Sequence, residues 1–392
     1  MKGLKEFLLQ EPTIYTLIWC MYYLQGTLYA EGNGIAKILL IIFLVMSLIN
    51  TKKCFSFTTN PYMKSIASLA IFFGIYGVLR VVIGDDSSWL YTNDPTTYFK
   101  EYELSILPIF SFYYYTRTNK VDGNWFYFSS FVFLVVALSL FYREQANRLA
   151  VTWRDEVTNN TGYKFFALLP LVVFLKKRPL LQFAFLAIVV VFILQGMKRG
   201  AILVAAISLF FLLPNMFRSV KGRQKFFVTL LTLGIVVGGF YYITNIMMSS
   251  EYFMVRIDQT LNGDASNRED MYPMYFRHFT ERYDVFSKIF GNGADSTLRY
   301  MGDFAHNDWL ELLLDEGILG IIIYIIYWLN GVRYFWKKRV HIPIEISSIL
   351  GITLLAYFTR SFFSMSINDM PLFTTSALGY AIAKKDMILR SL

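Results

Sequence analysis

The chain reads as an all-α integral membrane protein with about 12 transmembrane helices and one large, partly helical loop between two of them. Three observations predict this class. Of the 392 residues, 55% are hydrophobic and only 17% charged, where a soluble protein carries about 25% charge. The apolar runs have spanning length, roughly 17 to 25 residues, rather than strand length. The positive charges fall in short loops between those runs, as membrane topology requires.

Taken in order, the spans fall roughly at 13–30, 34–50, 62–83, 101–115, 125–142, 164–175, 180–196, 201–216, 226–247, 307–330, 345–363 and 371–383. Lys2 and Lys5 precede the first, and no small-residue cleavage site follows it, so it reads as an uncleaved span. Cys20 lies in that span and Cys54 in the basic loop after the second, at different depths, which argues against a disulfide. The basic stretches 51–55, 117–120, 176–178, 217–225, 332–339 and 383–390 share one side if both termini are cytoplasmic. The opposite side then holds 84–100, 143–163, 196–200, 364–370 and the largest loop, 248–305. No repeat or low-complexity tract divides the chain, so residues 1–392 form a single polytopic domain. The net charge of +9 does not point to nucleic acid. There is no soluble basic domain and no aromatic-studded strand set on which bases could stack.

The kind of basic residue differs between the two sides. The cytoplasmic side carries 14 lysines and 7 arginines, the other side 5 lysines and 11 arginines. Topology needs positive charge inside but is indifferent to which residue supplies it. Arginine placed against that gradient suits planar, two-pronged recognition of phosphate or carboxylate. The competing reading pairs these arginines with acids of the same side, such as Asp85, Asp86, Asp155 and Glu156.

Four segments carry chemistry. In Gly196-Met197-Lys198-Arg199-Gly200 two cations sit at the membrane boundary, either snorkelling or clamping an anion at a helix N-terminus. Residues 269–290 show apolar and aromatic side chains at helical spacing, predicting an amphipathic helix on the membrane surface that starts near Ser266 or Asp270. Gly291-Asn292-Gly293 ends it as a turn, or cradles phosphate. His306-Asn307-Asp308-Trp309-Leu310 opens the greasy run to residue 330, placing a histidine with Asp308, Glu311, Asp315 and Glu316 at the head of a span. Ionisable groups there are costly, which makes function the default hypothesis. His306 reads as a proton carrier or as a helix cap; Asn307 and Asp308 can cap without it. His278 reads as interfacial and His341 as part of a basic loop. Arg80 and Arg360, within a turn of their span ends, fit snorkelling. No spacing resembles a zinc site, and no Ser-His-Asp order is evident.

Together these segments resemble the O-antigen ligase/polymerase superfamily of bacterial membrane glycosyltransferases. Met197-Lys198-Arg199-Gly200-Ala201 looks like that family's Ser-Arg-Gly segment, with Lys198 where serine is usual. Ser266-Asn267-Arg268 is similar to its Ser-x-Arg, and Gly291-Asn292-Gly293 to the G-x-G that follows. His306-Asn307-x-Trp309-Leu310 and Glu316-Gly317-x-x-Gly320 resemble its H-N-x-[YF]-L…E-x-G-x-x-G. The match covers about 143–330, which would be the catalytic region; the first spans match only in character.

The resemblance implies a GT-C-like membrane enzyme of the bacterial cytoplasmic (inner) membrane with its loop 248–305 in the periplasm. The implied reaction is inverting glycosyl transfer without metal or other cofactor, from an undecaprenyl-diphosphate-linked glycan to a glycan or lipid acceptor. With no metal to neutralise the leaving diphosphate, arginines must do so. Arg199 and Arg268 are the first candidates, with Lys198, Arg143, Arg148 and Arg256 as further substrate contacts. His306 would accept the acceptor's proton, with Asn307 binding substrate and Asp308 or Glu311 orienting the ring. An O-antigen polymerase is favoured over an O-antigen ligase acting on lipid A–core, because polymerases diverge with repeat-unit structure. Membrane lipids and a chain-length regulator are the other expected partners. A transporter or flippase for the lipid-linked sugar is the reading from another class; midplane binding groups and repeated halves would favour it, and neither is visible.

Overall fold

The computed structural model describes residues 9–26, 33–57, 60–83, 96–152, 158–218, 222–242, 268–367 and 369–392, with isolated positions between 244 and 258. Among the described residues every regular element is helical. In order they are α1 (Glu11–Gln25), α2 (Gly34–Cys54), α3 (Pro61–Ile83), α4 (Thr96–Arg117), α5 (Gly123–Thr152), and α6 (Gly162–Phe166) continued by a 3-10 stretch, Leu169–Leu175. Then come α7 (Pro179–Gln195), α8 (Arg199–Arg218), α9 (Arg223–Tyr242), α10 (Arg268–Arg282), α11 (Val285–Phe290), α12 (Ser296–Met301), α13 (Asp308–Asp315) and α14 (Gly317–Trp336). The chain ends with α15 (Ile344–Gly351), a π-helical turn (Ile352–Ala356), α16 (Tyr357–Arg360) and α17 (Leu372–Ser391).

Among the described residues six helices, α2, α3, α5, α8, α9 and α14, are long and apolar enough to cross a membrane. The 162–175 segment and α7 are apolar but shorter. The outer apolar surface is explicit. Ile38, Ile41 and Leu48 on α2, Ile71 and Ile75 on α3, and Phe226, Leu230 and Phe240 on α9 are all exposed. Such continuous apolar surface is a liability in water and is the expected surface in a bilayer.

The core lies where α17 packs on α4. Small residues allow this approach: at Gly379 a β-carbon would fall 2.4 Å from the Ile109 carbonyl oxygen, so no side chain fits. A polar knot ties the end of α17. The Asp386 carboxylate accepts from Asn60 Nδ2 (3.0 Å), Tyr113 OH (2.9 Å) and Tyr334 OH (2.9 Å). Beside it, buried Lys385 donates to the Tyr334 and Phe335 carbonyls near the end of α14, where the helix dipole favours a cation.

Two expected helices are broken. The 269–290 helix divides at Tyr283, because Asp284 caps a new helix by accepting from Ser287 N (2.7 Å). The run from 307 to 330 divides at Glu316-Gly317, where Gly317 takes φ +67°. Only glycine adopts that region freely, and a β-carbon there would also lie 2.5 Å from Gly291 N. Gly291 (φ +74°) reciprocates, its β-carbon position lying 2.1 Å from Asp315 O. The two glycines therefore let the 291 turn press backbone to backbone against the α13–α14 corner. Here α10 and α13 enclose a second, small core of Tyr275, Phe279, Tyr283, Ala305 and Leu314, separate from that of the bundle.

Candidate functional site

His306 stands immediately before α13, held in the left-handed backbone region at φ +51°. For a residue with a β-carbon this costs about 1–2 kcal/mol, so surrounding bonds must enforce it. Asn307 is the N-cap, accepting from Trp309 N (2.9 Å) and Leu310 N (3.3 Å), while its Nδ2 donates to Phe362 O (3.0 Å). Asp308 N donates to Ser361 O (2.9 Å), and the Trp309 indole N–H donates to Ser361 Oγ (3.0 Å). The segment is thus latched to the 361–366 turn that follows α16.

The carboxylates named with His306 serve the backbone more than the ring. Asp308 accepts from Tyr324 OH (2.6 Å), Ser366 N (2.8 Å) and Ser366 Oγ (2.6 Å). Glu311 accepts from the Thr297 hydroxyl, the Ala305 amide (2.5 Å) and the His306 amide. Asp315 accepts from Asp295 N (3.1 Å) and Ser296 N (2.8 Å). All three are at least nine-tenths buried. The orienting role expected of Asp308 or Glu311 therefore takes a different form: they fix the loop that carries the imidazole.

The Gly291-Asn292-Gly293 turn also has a structural use. Its three amides donate to Ser287 O (2.7 Å), Leu314 O (3.0 Å) and Asp315 O (2.9 Å), so they terminate helices instead of opening toward an anion. Arg299 braces the turn by donating to Asn292 O (2.7 Å) and Gly293 O (3.0 Å).

The second segment is the α7–α8 joint. Met197, at φ +47°, is another non-glycine residue in the left-handed region, and it directly precedes Lys198 and Arg199. Asn159 N holds the joint through Gly196 O (2.9 Å). Lys198 caps α8, which starts at Arg199; both side chains are half-buried. Gly200 is needed for packing, since a β-carbon would lie 2.1 Å from Tyr163 OH and 2.6 Å from Phe363.

Arg268, the first residue of α10, completes the group. His306 feels the charges of Asp303, Arg268 and Lys198, so residues 108 and 38 positions away are brought to one place. The imidazole is exposed, yet the surrounding protein disfavours its charged form and lowers its pKa from the ordinary histidine value. Asp303 pulls it upward, and Arg268 and Lys198 push it down further. These surroundings favour the neutral form of His306, the form able to accept a proton.

Arg268 also acts on the Tyr163 hydroxyl, and beyond Tyr163 lies a cluster that sequence reading did not single out. Arg360 is 2% exposed, so it does not snorkel. Its Nη2 pairs with Asp369 Oδ2 (2.6 Å), and its guanidinium lies 4.1 Å over the Tyr163 ring. Lys164 Nζ pairs with the other Asp369 oxygen (2.5 Å). Burial opposes the charge on Asp369, but Lys164 and Arg360 outweigh it and hold its carboxyl down to about 2. Asp369 is the only acid in the short stretch 364–370, a signal that the sequence did contain.

The remaining candidates are placed as follows. The Arg143 guanidinium lies against Gly26 at the end of α1, 2.5 Å from where a β-carbon would be. Arg148 pairs with Glu144 one turn earlier on α5. Neither appears in the electrostatic surroundings of His306. Arg256, Ser266 and Asn267 lie outside the described residues, and so does the side chain of Arg80. His278 packs its ring near Tyr283 and Tyr300. Compared with known proteins, the chain matches no protein-family model and no curated protein.

Proposed function

We propose that the chain is a membrane glycosyltransferase of the O-antigen polymerase kind, joining undecaprenyl-diphosphate-linked oligosaccharide repeat units by metal-independent inverting transfer. The observation that carries this reading is the convergence of Lys198, Arg268 and neutral His306 from three separate segments, with the Lys164–Asp369–Arg360 cluster behind them. Among these groups the described cations outnumber the carboxylates, which suits a site that takes up an anion.

In the proposed reaction the acceptor hydroxyl oxygen attacks the donor's anomeric carbon from the face opposite the diphosphate. The anomeric C–O bond breaks and its electron pair leaves with the diphosphate. The hydroxyl proton passes to an imidazole nitrogen of His306. Arg268 and Lys198, with Arg199 at the head of α8, would neutralise the charge that develops on the leaving group. The left-handed backbone at Met197 and His306 fits a site that tolerates local strain to aim its groups. The same reading puts the site at the periplasmic face of a bacterial inner membrane, with about twelve crossings and both termini cytoplasmic.

The deciding experiment is reconstitution of the purified full chain with lipid-diphosphate oligosaccharide alone. Longer glycan together with released lipid diphosphate supports the proposal. Transfer only onto added lipid A–core would favour a ligase, and sugar crossing the bilayer without new bonds would overturn both.

A further inference from the structure

Far from that site, α2, α3 and α4 leave a sideways-facing groove of about 460 Å³. Its walls include Leu48, Ala67, Ala70, Gly74, Leu107 and Phe110, and two polar residues line it: Thr51, whose hydroxyl donates to Ser47 O (2.8 Å), and Glu103. The glutamate is 5% exposed, and among the described residues no hydrogen bond or ion pair engages its carboxyl. A β-carbon on Gly74 would lie 3.3 Å from Glu103 Oε1, so the carboxyl sits directly over the small residues of α3.

The depth narrows what could fill this space. Gly74 stands about 20 Å along α3, a helix about 34 Å long, so the Glu103 carboxyl, entering from the first third of α4, meets α3 past its midpoint and within its apolar stretch. A lipid tail offers it no partner, and a phosphate head group belongs at another depth and carries the wrong charge. A carboxyl at that level is stabilised by a cation or a proton donor brought in on a helix, whose backbone is already satisfied. Ala67, Ala70 and Gly74 provide the close approach that membrane helices use, and Ile71 and Ile75 rim the groove with exposed apolar surface. None of the six candidate spans among the described residues carries lysine, arginine or histidine in its central third, so none of these six in a second copy would supply the partner group.

We propose that this groove seats a transmembrane helix of another protein, one carrying a lysine or arginine within its apolar stretch at the level of Glu103. The test uses the full chain in phosphatidylcholine vesicles with labelled leucine–alanine transmembrane peptides, one with a single central lysine and one wholly apolar, read by energy transfer. The lysine peptide should bind about tenfold more tightly. Glu103→Gln, which keeps the side-chain shape, should erase the difference, and Gly74→Leu, which fills the groove, should remove the tighter binding. Because each comparison is a ratio on one preparation, an inactive fraction cancels. Equal binding of the two peptides to the wild-type chain overturns the proposal, as does a preference that survives Glu103→Gln. Energy transfer between two labelled copies of the chain that Gly74→Leu abolishes would assign the groove to self-association and overturn it as well.

Discussion

Two carboxylates mark the two ends of α17 and are handled in opposite ways. Asp386 is surrounded by neutral donors, Asn60, Tyr113 and Tyr334, which fill its lone pairs and bind α3, α4 and α14 together. Asp369 is shared by two cations, Lys164 and Arg360, close to Tyr163, Arg268 and Lys198. The first arrangement is complete and asks for nothing further. Among the described residues the second gathers more cations than carboxylates, beside two backbone positions that only their surroundings hold in place. On the proposed function, buried charge alone does not mark the working site; an excess of one sign among the described groups, combined with local strain, is the better marker.

Substitutions can break this contrast. The largest effect is expected from His306→Ala, which should lower glycan transfer by about a hundredfold or more. The melting temperature in detergent should stay near wild type, because the ring is exposed. Asp386→Leu should do the reverse, costing about 3 kcal/mol by stranding three buried donors, with activity per folded molecule retained. Gly291→Ala should cost about 2 kcal/mol from its positive φ and its contact with Asp315 O. That loss should appear as earlier proteolysis of the 268–315 region.

The smallest effect sharpens the picture. The folded pKa of His306 is lowered, so its neutral form persists below the ordinary histidine range and transfer should fall only on the acid side of that range. Lys198→Met removes one of the charges that lower it. The acid limb of the pH–rate profile should then move to higher pH; an unmoved limb would separate His306 from the titration.

The helical class and the apolar surfaces were legible in residue order because hydropathy is a local property. The break at Gly317 was not, since the apolar run continues through it and only the backbone angle reveals the corner. His306 stood out by chemical type, whereas its neighbours came from residues far away in the chain. The Lys164–Asp369 pair joins positions 205 residues apart, which no spacing argument reaches. The carboxylates of α13 stand out in the sequence for their charge, but the groups they accept from are not local in it. Asp308 and Glu311 look like partners for an imidazole in one dimension, but in three they face hydroxyls and amides.

The small core of Tyr275, Phe279, Tyr283, Ala305 and Leu314 has a consequence for assembly. Because it shares none of these residues with the main core, the membrane helices can be inserted and packed before it forms. The segment bearing Arg268 and His306 would then close late, as Ala294 and Leu312 join the main core and the 307–309 stretch latches onto the 361–366 turn. Protection from hydrogen exchange should accordingly rise in the bundle first and in residues 268–315 afterwards, with catalytic competence appearing only at the second step.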